Sequence, residues 1–202
     1  MIVIVDYECG NIASVLNMIR KAGGDAVVSG SQEVIQQASK LVLPGVGAYD
    51  QGMSHLHAKQ LPAILQARAA AGVPLLGICL GMQLLGLGSE EGKIPGLGLI
   101  AARFKRFIFN ADSIMRIPHV GWNTVHVQKT NRLIPSDQVE KRYYFDHSYY
   151  AVCAHEEDIL ATTEYGHDFP SAYSRESVYG VQFHPEKSHR FGLSLIKQFL
   201  DI

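Results

Sequence analysis

The residues around Cys79 have the types and spacing of a nucleophilic thiol on a sharp turn. An apolar run at residues 73–78 leads directly into Cys79, and a helical pattern starts just after it. Gly77 and Gly81 flank the cysteine, and small residues at these positions permit a tight strand–turn–helix elbow. Such a turn puts the sulfur at a helix N-terminus, which favours thiolate. The alternative is a buried structural cysteine, which is common for a free thiol.

A second group of reactive residues follows another apolar run, at residues 178–183. His184 and Glu186 stand there on either side of a proline. A thiol nucleophile needs a base, usually imidazole, and the base needs an orienting partner such as a carboxylate. The alternative is that His184 only caps the strand while Glu186 pairs with Lys187. A metal site is disfavoured, since Cys79 has no second thiolate nearby in sequence and no His-Glu-x-x-His pattern occurs.

The elements that must position these groups alternate between strand and helix through the first hundred residues. Uniformly apolar strands alternating with helices indicate a parallel sheet that is covered on both faces. Because the carboxyl ends of parallel strands meet at one edge, Cys79 and His184 can lie together despite their separation in sequence. Strands are predicted at residues 2–5, 26–28, 41–43 and 73–78, and helices at residues 12–19, 34–38, 61–71 and 82–87.

A Gly-x-Gly segment follows the third predicted strand. Gly45, Val46 and Gly47 could aim backbone N–H groups at an anion, and the two glycines permit more than one arrangement of this loop. The alternative is an ordinary turn between a strand and a helix.

The second hundred residues are richer in β-branched and aromatic runs. We predict antiparallel strands packed onto the edge of the sheet, and a last helix at residues 191–199. The whole chain is then one domain, residues 1–202. Its predicted fold class is α/β, an open and mostly parallel sheet flanked by helices, with β-rich additions in the C-terminal half. The strands are predicted within residues 100–109, 123–127, 142–145, 159–163 and 178–183.

The composition excludes several kinds of partner. The 202 residues carry a net charge of −1, so no basic field exists to hold nucleic acid or an anionic membrane surface. The three cysteines are too few, and odd in number, for a disulfide framework. No apolar run approaches the roughly 18 residues of a membrane span, and the first residues lack the pattern of a signal peptide. We therefore expect a cytoplasmic protein.

Three motifs together resemble those of class I glutamine amidotransferases, which have a flavodoxin-like fold. They lie at residues 44–47, 77–83 and 182–186, and the resemblance runs nearly end to end. Residues 118–123 and 145–149, together with methionine before Gln83, are similar to the HisH-type glutaminase subunits of imidazole glycerol phosphate synthase.

This resemblance implies roles for four groups of residues, and it implies neither a cofactor nor a metal. The implied catalytic residues are Cys79, His184 and Glu186. The implied oxyanion hole is formed by Gly45, Val46, Gly47 and Leu80. The residues implied to bind glutamine are Gln83, Ser148 and Tyr149. The residues implied to face a partner are Asn11, Trp122, Asn123 and Lys187. Residue type alone leaves open a helix-surface role for Gln83 and core packing for Tyr149 and Trp122.

The resemblance also implies a reaction and a partner. L-Glutamine would be hydrolysed to glutamate and ammonia, and a cyclase (HisF-type) subunit of a heterodimer would use the ammonia to make imidazole glycerol phosphate and AICAR. An alternative comes from residues 184–192, which resemble paralogues that supply a sugar amidotransferase in surface-polysaccharide synthesis. A more remote alternative is another cysteine hydrolase, such as a peptidase. Asp146 departs from the family pattern, which tends to have an apolar residue there, and Cys9 is a further departure.

Overall fold

The computed structural model describes residues 1–110, 113–135 and 140–202. The strands are β1 (Ile2–Val5), β2 (Ala26–Ser29), β3 (Lys40–Gly45), β4 (Leu75–Cys79), β5 (Gly88–Ser89), β6 (Ala102–Arg106), β7 (His119–Val127), β8 (Lys141–His147), β9 (Tyr149–Cys153), β10 (Ile159–Glu164), β11 (Asp168–Arg175) and β12 (Val178–Val181). The α-helices are α1 (Ile12–Lys21), α2 (Gln32–Gln36), α3 (Tyr49–Ala58), α4 (Pro62–Ala70), α5 (Leu80–Leu85) and α6 (His189–Asp201). Short 3₁₀ helices cover Glu156–Asp158 and Pro185–Lys187.

A nine-stranded sheet organises the molecule, in the order β2-β1-β3-β4-β12-β11-β10-β7-β8. The strands from β2 to β12 in that order are parallel, and β11, β10, β7 and β8 continue the sheet with antiparallel pairing. A smaller sheet joins β5, β6 and β9. The predicted fold class, a mostly parallel α/β sheet with antiparallel strands in the C-terminal half, is confirmed.

The prediction for β12 was wrong in its position. The sequence placed residues 178–183 among the strands at the sheet edge, but β12 lies in the middle of the sheet. It pairs antiparallel with β11, as predicted, and in parallel with β4 on its other side. All four of its residues are buried, which is typical of a central parallel strand. The strand also ends at Val181. The sequence missed α3 and β11, whose apolar patterns are interrupted by polar residues, and also β9.

Helices cover both faces of the parallel part of the sheet. Alternating residues of β1 belong to two different hydrophobic clusters, one on each face, as the two-residue period of a strand requires. Helices α1 and α6 pack together on one face, where Ile19 and Phe199 are fully buried. Helices α3, α4 and α5 contribute to the cluster on the other face. Within the described ranges, none of the helices is both long and apolar enough to span a membrane.

Helix α5 lies unusually close to the sheet because two glycines leave room for it. A Cβ atom on Gly81 would lie 1.8 Å from the carbonyl oxygen of Leu43, and one on Gly77 would lie 2.6 Å from the side chain of Leu85. The first contact is with backbone, which cannot move aside without disturbing β3. Gly81 therefore fixes how closely the start of α5 approaches the sheet.

We expect Gly81→Ala to lower the free energy of unfolding by about 3 kcal/mol, because the added methyl group would overlap the Leu43 carbonyl. Urea unfolding followed by circular dichroism measures the change. Gly88→Ala is the matched control, since the nearest atom to its Cβ, at 3.3 Å, is the end of the flexible Arg103 side chain. Equal stability of the two variants would contradict the expected overlap.

Candidate active site

Three strand ends meet at the carboxyl edge of the parallel sheet. Strand β3 ends at Gly45, which is paired in register with Cys79 at the end of β4. Strand β12 lies on the other side of β4, and the chain reaches His184 three residues after it ends. Open α/β sheets bind their ligands at this edge. The parallel pairing therefore brings the cysteine, the histidine and the glycine loop together.

Cys79 occupies a strained turn between β4 and α5. Its φ of 53° and ψ of −111° fall in a region that residues other than glycine rarely adopt, and such strain is typical of functional positions. The thiol is 6% exposed and donates to the carbonyl oxygen of Asp146 at 3.8 Å. The side-chain amide of Gln182 donates to the sulfur at 3.7 Å. Cys79 thus has the position and the surroundings of an elbow nucleophile, whereas a simple core cysteine would not need this backbone.

His184 and Glu186 form a buried pair beside the cysteine. The His184 Nδ1 donates to Glu186 Oε1 at 2.8 Å, and each side chain is 2% exposed. The 3₁₀ helix Pro185–Lys187 turns the carboxylate back towards the ring, and the Ser188 hydroxyl donates to the His184 carbonyl at 2.6 Å. With Nδ1 engaged, Nε2 is the ring nitrogen left for the thiol. Lys187 does not pair with Glu186 but lies 3.9 Å from the Asp146 carboxylate.

The pKa of His184 is raised by its two partners. Burial alone would lower this pKa, but hydrogen bonds to Cys79 and Glu186, and the charges of both groups, outweigh burial and raise it from 6.5 to about 10. His184 is therefore protonated near neutral pH. A protonated imidazole beside a sulfur can stabilise thiolate and can give a proton to a leaving group.

A cavity of about 250 Å³ opens in front of these groups, a size that suits a small metabolite. It brings together Cys79 and His184 with most of the residues that the sequence predicted for the oxyanion hole and for glutamine. Glu186 lies behind His184 and outside the cavity. The lining residues are Val46, Gly47, Cys79, Leu80, Gln83, Glu91, Pro118, Asp146, His147, Ser148, Tyr149 and His184.

Gln83 lies inside the protein, so the helix-surface alternative for it is excluded. Its side-chain amide donates to Gln182 Oε1 at 3.3 Å, and both residues are buried. Gly45 does not line the cavity but supports it. A Cβ on Gly45 would lie 2.7 Å from the backbone nitrogen of Gly81, so β3 and the start of α5 are in direct contact.

Sequence reasoning missed four residues of the cavity wall as candidates for the site: Glu91, Pro118, Asp146 and His147. Glu91 accepts the backbone N–H of Tyr49, the first residue of α3, at 3.0 Å. Burial raises the pKa of Glu91, against the effect of this hydrogen bond. Pro118, Asp146 and His147 lie within the motifs at residues 118–123 and 145–149, which the resemblance singled out without giving these three residues a role, whereas Glu91 had no signal in the sequence.

The residues predicted to face a partner differ in their surroundings. Trp122 is 40% exposed, so it is not a core residue, and its ring stacks on His189 at 5.6 Å. Lys187 lies over the Tyr144 ring at 5.4 Å. Asn123, in contrast, uses its side chain within the chain, donating to the Glu164 carbonyl at 2.9 Å. Asn11 directly precedes α1, and its side chain does not cap that helix.

The fold and the site are those of an α/β enzyme in which a thiol, an imidazole and a carboxylate meet at one sheet edge. The family model for glutamine amidotransferase class-I matches residues 3–202, and this chain belongs to that family. In the described ranges, no group of three or more His, Cys, Asp and Glu side chains is arranged to hold a metal ion.

Curated relatives match along their whole length. Imidazole glycerol phosphate synthase subunit HisH 2 of Methanococcus maripaludis is 47% identical over 99% of this chain and 98% of its own. The protein of the same name from Pseudomonas aeruginosa is 47% identical over the full length of both chains. A crystal structure of a glutamine amidotransferase superposes with a TM-score of 0.76 at 18% identity, covering 99% of this chain and 97% of that one, and supports the fold alone.

We expect the pKa of His184 to fall in the Cys79→Ala variant, because one of the two partners that raise it is removed while burial remains. Nuclear magnetic resonance of ¹⁵N-labelled histidine measures the titration. Cys153→Ala is the control, since Cys153 lies on β9 in the smaller sheet. A wild-type His184 that titrates near 6.5, or an unchanged pKa in Cys79→Ala, would contradict the assignment.

Proposed function

We propose that this chain is a glutaminase subunit that hydrolyses L-glutamine to glutamate and ammonia. The observation that carries the proposal is Cys79 on a strained elbow beside the buried His184–Glu186 pair, in a chain of the glutamine amidotransferase class-I family. We further propose that a cyclase subunit receives the ammonia and makes imidazole glycerol phosphate and AICAR. The names of the full-length relatives support this acceptor.

In the first step, the sulfur of Cys79 attacks the side-chain amide carbon of glutamine. The carbonyl π electrons move to oxygen, and the resulting oxyanion needs donors. Leu80 is the first residue of α5, so its N–H has no acceptor within the helix and is free to donate. The backbone of Val46 and Gly47, which line the cavity, supplies the second donor in this proposal, and Gly45 holds this loop against α5. Collapse of the oxyanion breaks the C–N bond, His184 protonates the departing nitrogen, and ammonia and a thioester result.

In the second step, water hydrolyses the thioester. His184, now neutral, takes a proton from the water, which attacks the thioester carbon through the same kind of oxyanion. The C–S bond breaks, glutamate leaves and the thiol is restored. Glu186 keeps the ring oriented in both steps because it holds Nδ1 and leaves Nε2 facing the reaction.

The far end of the cavity suits the amino-acid end of glutamine. We propose that Gln83, Ser148 and Tyr149 bind the α-amino and carboxylate groups. The carboxylate of Glu91 adds a negative charge to the same cavity, which matches the positive α-ammonium group. The cavity volume of about 250 Å³ matches a small molecule such as glutamine, which favours this substrate over a peptide.

The outer surface of β7 and β8 is the proposed contact with the cyclase. We call it the Trp122 face, and it comprises Val120, Trp122, Tyr144 and Asp146, with Lys187 and His189 packed against it. Val120 and Trp122 are the exposed apolar residues at its centre. Aromatic residues at the centre of a surface often supply most of the binding energy. The face adjoins the cavity because Asp146 belongs to both, so ammonia has a short path into a docked partner.

The alternative acceptor, a sugar amidotransferase, has no support among the relatives reported above. A coupled assay separates the two acceptors. With the cyclase and its nucleotide substrate present, glutamine should yield imidazole glycerol phosphate, whereas a sugar acceptor should remain unchanged. The reverse result would establish the alternative.

We expect Cys79→Ala to lower glutamine hydrolysis by at least about 10⁴-fold, because the thioester cannot form. Glutamate release in the presence of the cyclase measures the effect, and the variant should still bind the cyclase. Cys153→Ala, on the smaller sheet, should hydrolyse glutamine at the wild-type rate. Hydrolysis retained in Cys79→Ala would refute the proposal.

We expect Trp122→Ala to weaken cyclase binding about 30-fold, which corresponds to about 2 kcal/mol for an aromatic anchor. Isothermal titration calorimetry measures the dissociation constant. Val28→Ala is the matched control, because Val28 is 39% exposed on β2, at the opposite edge of the sheet from β8. An equal affinity of both variants would place the cyclase elsewhere on the surface.

A further inference from the structure

Two buried histidines beside the cavity are not used by the proposed reaction. His119 begins β7 and His147 ends β8, and the antiparallel register places them directly opposite each other. The His119 Nδ1 and the His147 Nε2 are 2.9 Å apart, a hydrogen-bond distance. His147 lines the cavity, whereas His119 lies behind it. Both side chains are almost completely enclosed.

The hydrogen-bond partners determine which ring nitrogens carry protons. The His147 Nδ1 lies 2.8 Å from the carbonyl oxygen of Tyr149, which can only accept, so this nitrogen must donate. In a neutral ring, the His147 Nε2 is then an acceptor, and the His119 Nδ1 must donate to it. The His119 Nε2 becomes the acceptor for the side-chain amide of Asn123 at 3.2 Å.

Asn123 can take only one orientation in this chain of hydrogen bonds. Its Oδ1 accepts the backbone N–H of Thr124 at 2.8 Å, so its nitrogen is the group that faces Glu164 and His119. Every bond therefore points the same way, from Asn123 through His119 and His147 to the Tyr149 carbonyl. A single-direction chain of this kind is strengthened by mutual polarisation and loses most when one link is removed.

The surroundings keep both rings neutral. The Phe145 and Tyr165 rings stack on the two sides of His119, at 4.7 and 3.9 Å. Burial lowers the pKa of His119 to about 4. Burial also lowers the pKa of His147 to about 3, and the charges of His119 and His184 act in the same direction against the Tyr149 hydrogen bond.

We propose that His119 and His147 are positioning residues for glutamine binding: their hydrogen-bond chain holds the Ser148–Tyr149 segment as a wall of the cavity. This inference rests on the proposed function. The chain ends on the Tyr149 carbonyl, and the Ser148 carbonyl is fixed separately by the backbone N–H of Phe107 at 3.0 Å. The two anchors set where the Ser148 and Tyr149 side chains stand in the cavity. Neither histidine takes part in proton transfer.

The wild-type protein gives the first test, which requires no substitution. In ¹⁵N-labelled histidine spectra at pH 7, His119 and His147 should both be neutral and both carry the proton on Nδ1. His184 serves as the internal reference, since it should be protonated on both nitrogens. A proton on Nε2 of either ring, or a positive charge on either, would overturn the proposed chain.

Two substitutions at His119 separate hydrogen bonding from packing. His119→Phe keeps a ring between Phe145 and Tyr165 but leaves the His147 Nε2 without a donor. We expect it to raise the KM for glutamine about tenfold and to change kcat less than about threefold, because an unmade buried hydrogen bond loosens the binding wall. His119→Asn loses the ring, but its amide nitrogen can donate in place of Nδ1, so it should restore most of the KM.

The outcomes distinguish this inference from the proposed function. A KM that is unchanged in His119→Phe, equal losses in KM and kcat, or His119→Asn binding glutamine no better than His119→Phe would each overturn the positioning role. None of those results would contradict the proposed function, which is tested separately by the loss of hydrolysis in Cys79→Ala. If wild type itself released no glutamate, the proposed function would fail, while the protonation sites could still be read from the spectra.

Discussion

The site depends on the unfavourable backbone conformation of Cys79, which the surrounding packing holds in place. A residue with a side chain at this φ and ψ costs of the order of 1–3 kcal/mol. The strain persists because α5 is pressed against β3, and only glycine at position 81 permits that approach. The same contact places the free N–H groups of the first helical turn beside the sulfur. The backbone conformation of Cys79 and the position of these N–H groups therefore follow from one packing constraint.

The histidines in and beside the cavity differ in charge, because they have different hydrogen-bond partners. Burial lowers the pKa of His119, His147 and His184 alike. The pKa of His184 is nevertheless raised, because a carboxylate and a thiol face its two ring nitrogens. His147 has a carbonyl and a neutral imidazole as partners, which offer little compensation. The arrangement keeps positive charge beside the Cys79 sulfur and away from the wall that is proposed to hold the substrate.

Site residues that lie in a local sequence pattern could be predicted from the sequence. Residues that reach the site only through contacts between distant segments could not. Gly77 and Gly81 around Cys79 marked the elbow, and strand–helix alternation indicated the parallel sheet. Glu91 has no local pattern and is held at the cavity by its contact with α3. His147 lies in a recognised motif, but its position opposite His119 follows only from the β7–β8 register. Strand β12 was misplaced for the same reason: aromatic and β-branched composition does not reveal which strand is the neighbour.

Strand β7 contributes to both the proposed partner surface and the proposed substrate wall, because its side chains alternate between the two faces of the sheet. Trp122 and Asn123 are consecutive, so their side chains leave the strand on opposite faces. Trp122 stands in the exposed Trp122 face, while Asn123 begins the hydrogen-bond chain to His147. The resemblance grouped both residues as partner-facing, yet the Asn123 amide is fully used inside the chain. A partner that shifted β7 through Trp122 would therefore also move the start of that chain, and with it the anchor of the Tyr149 carbonyl.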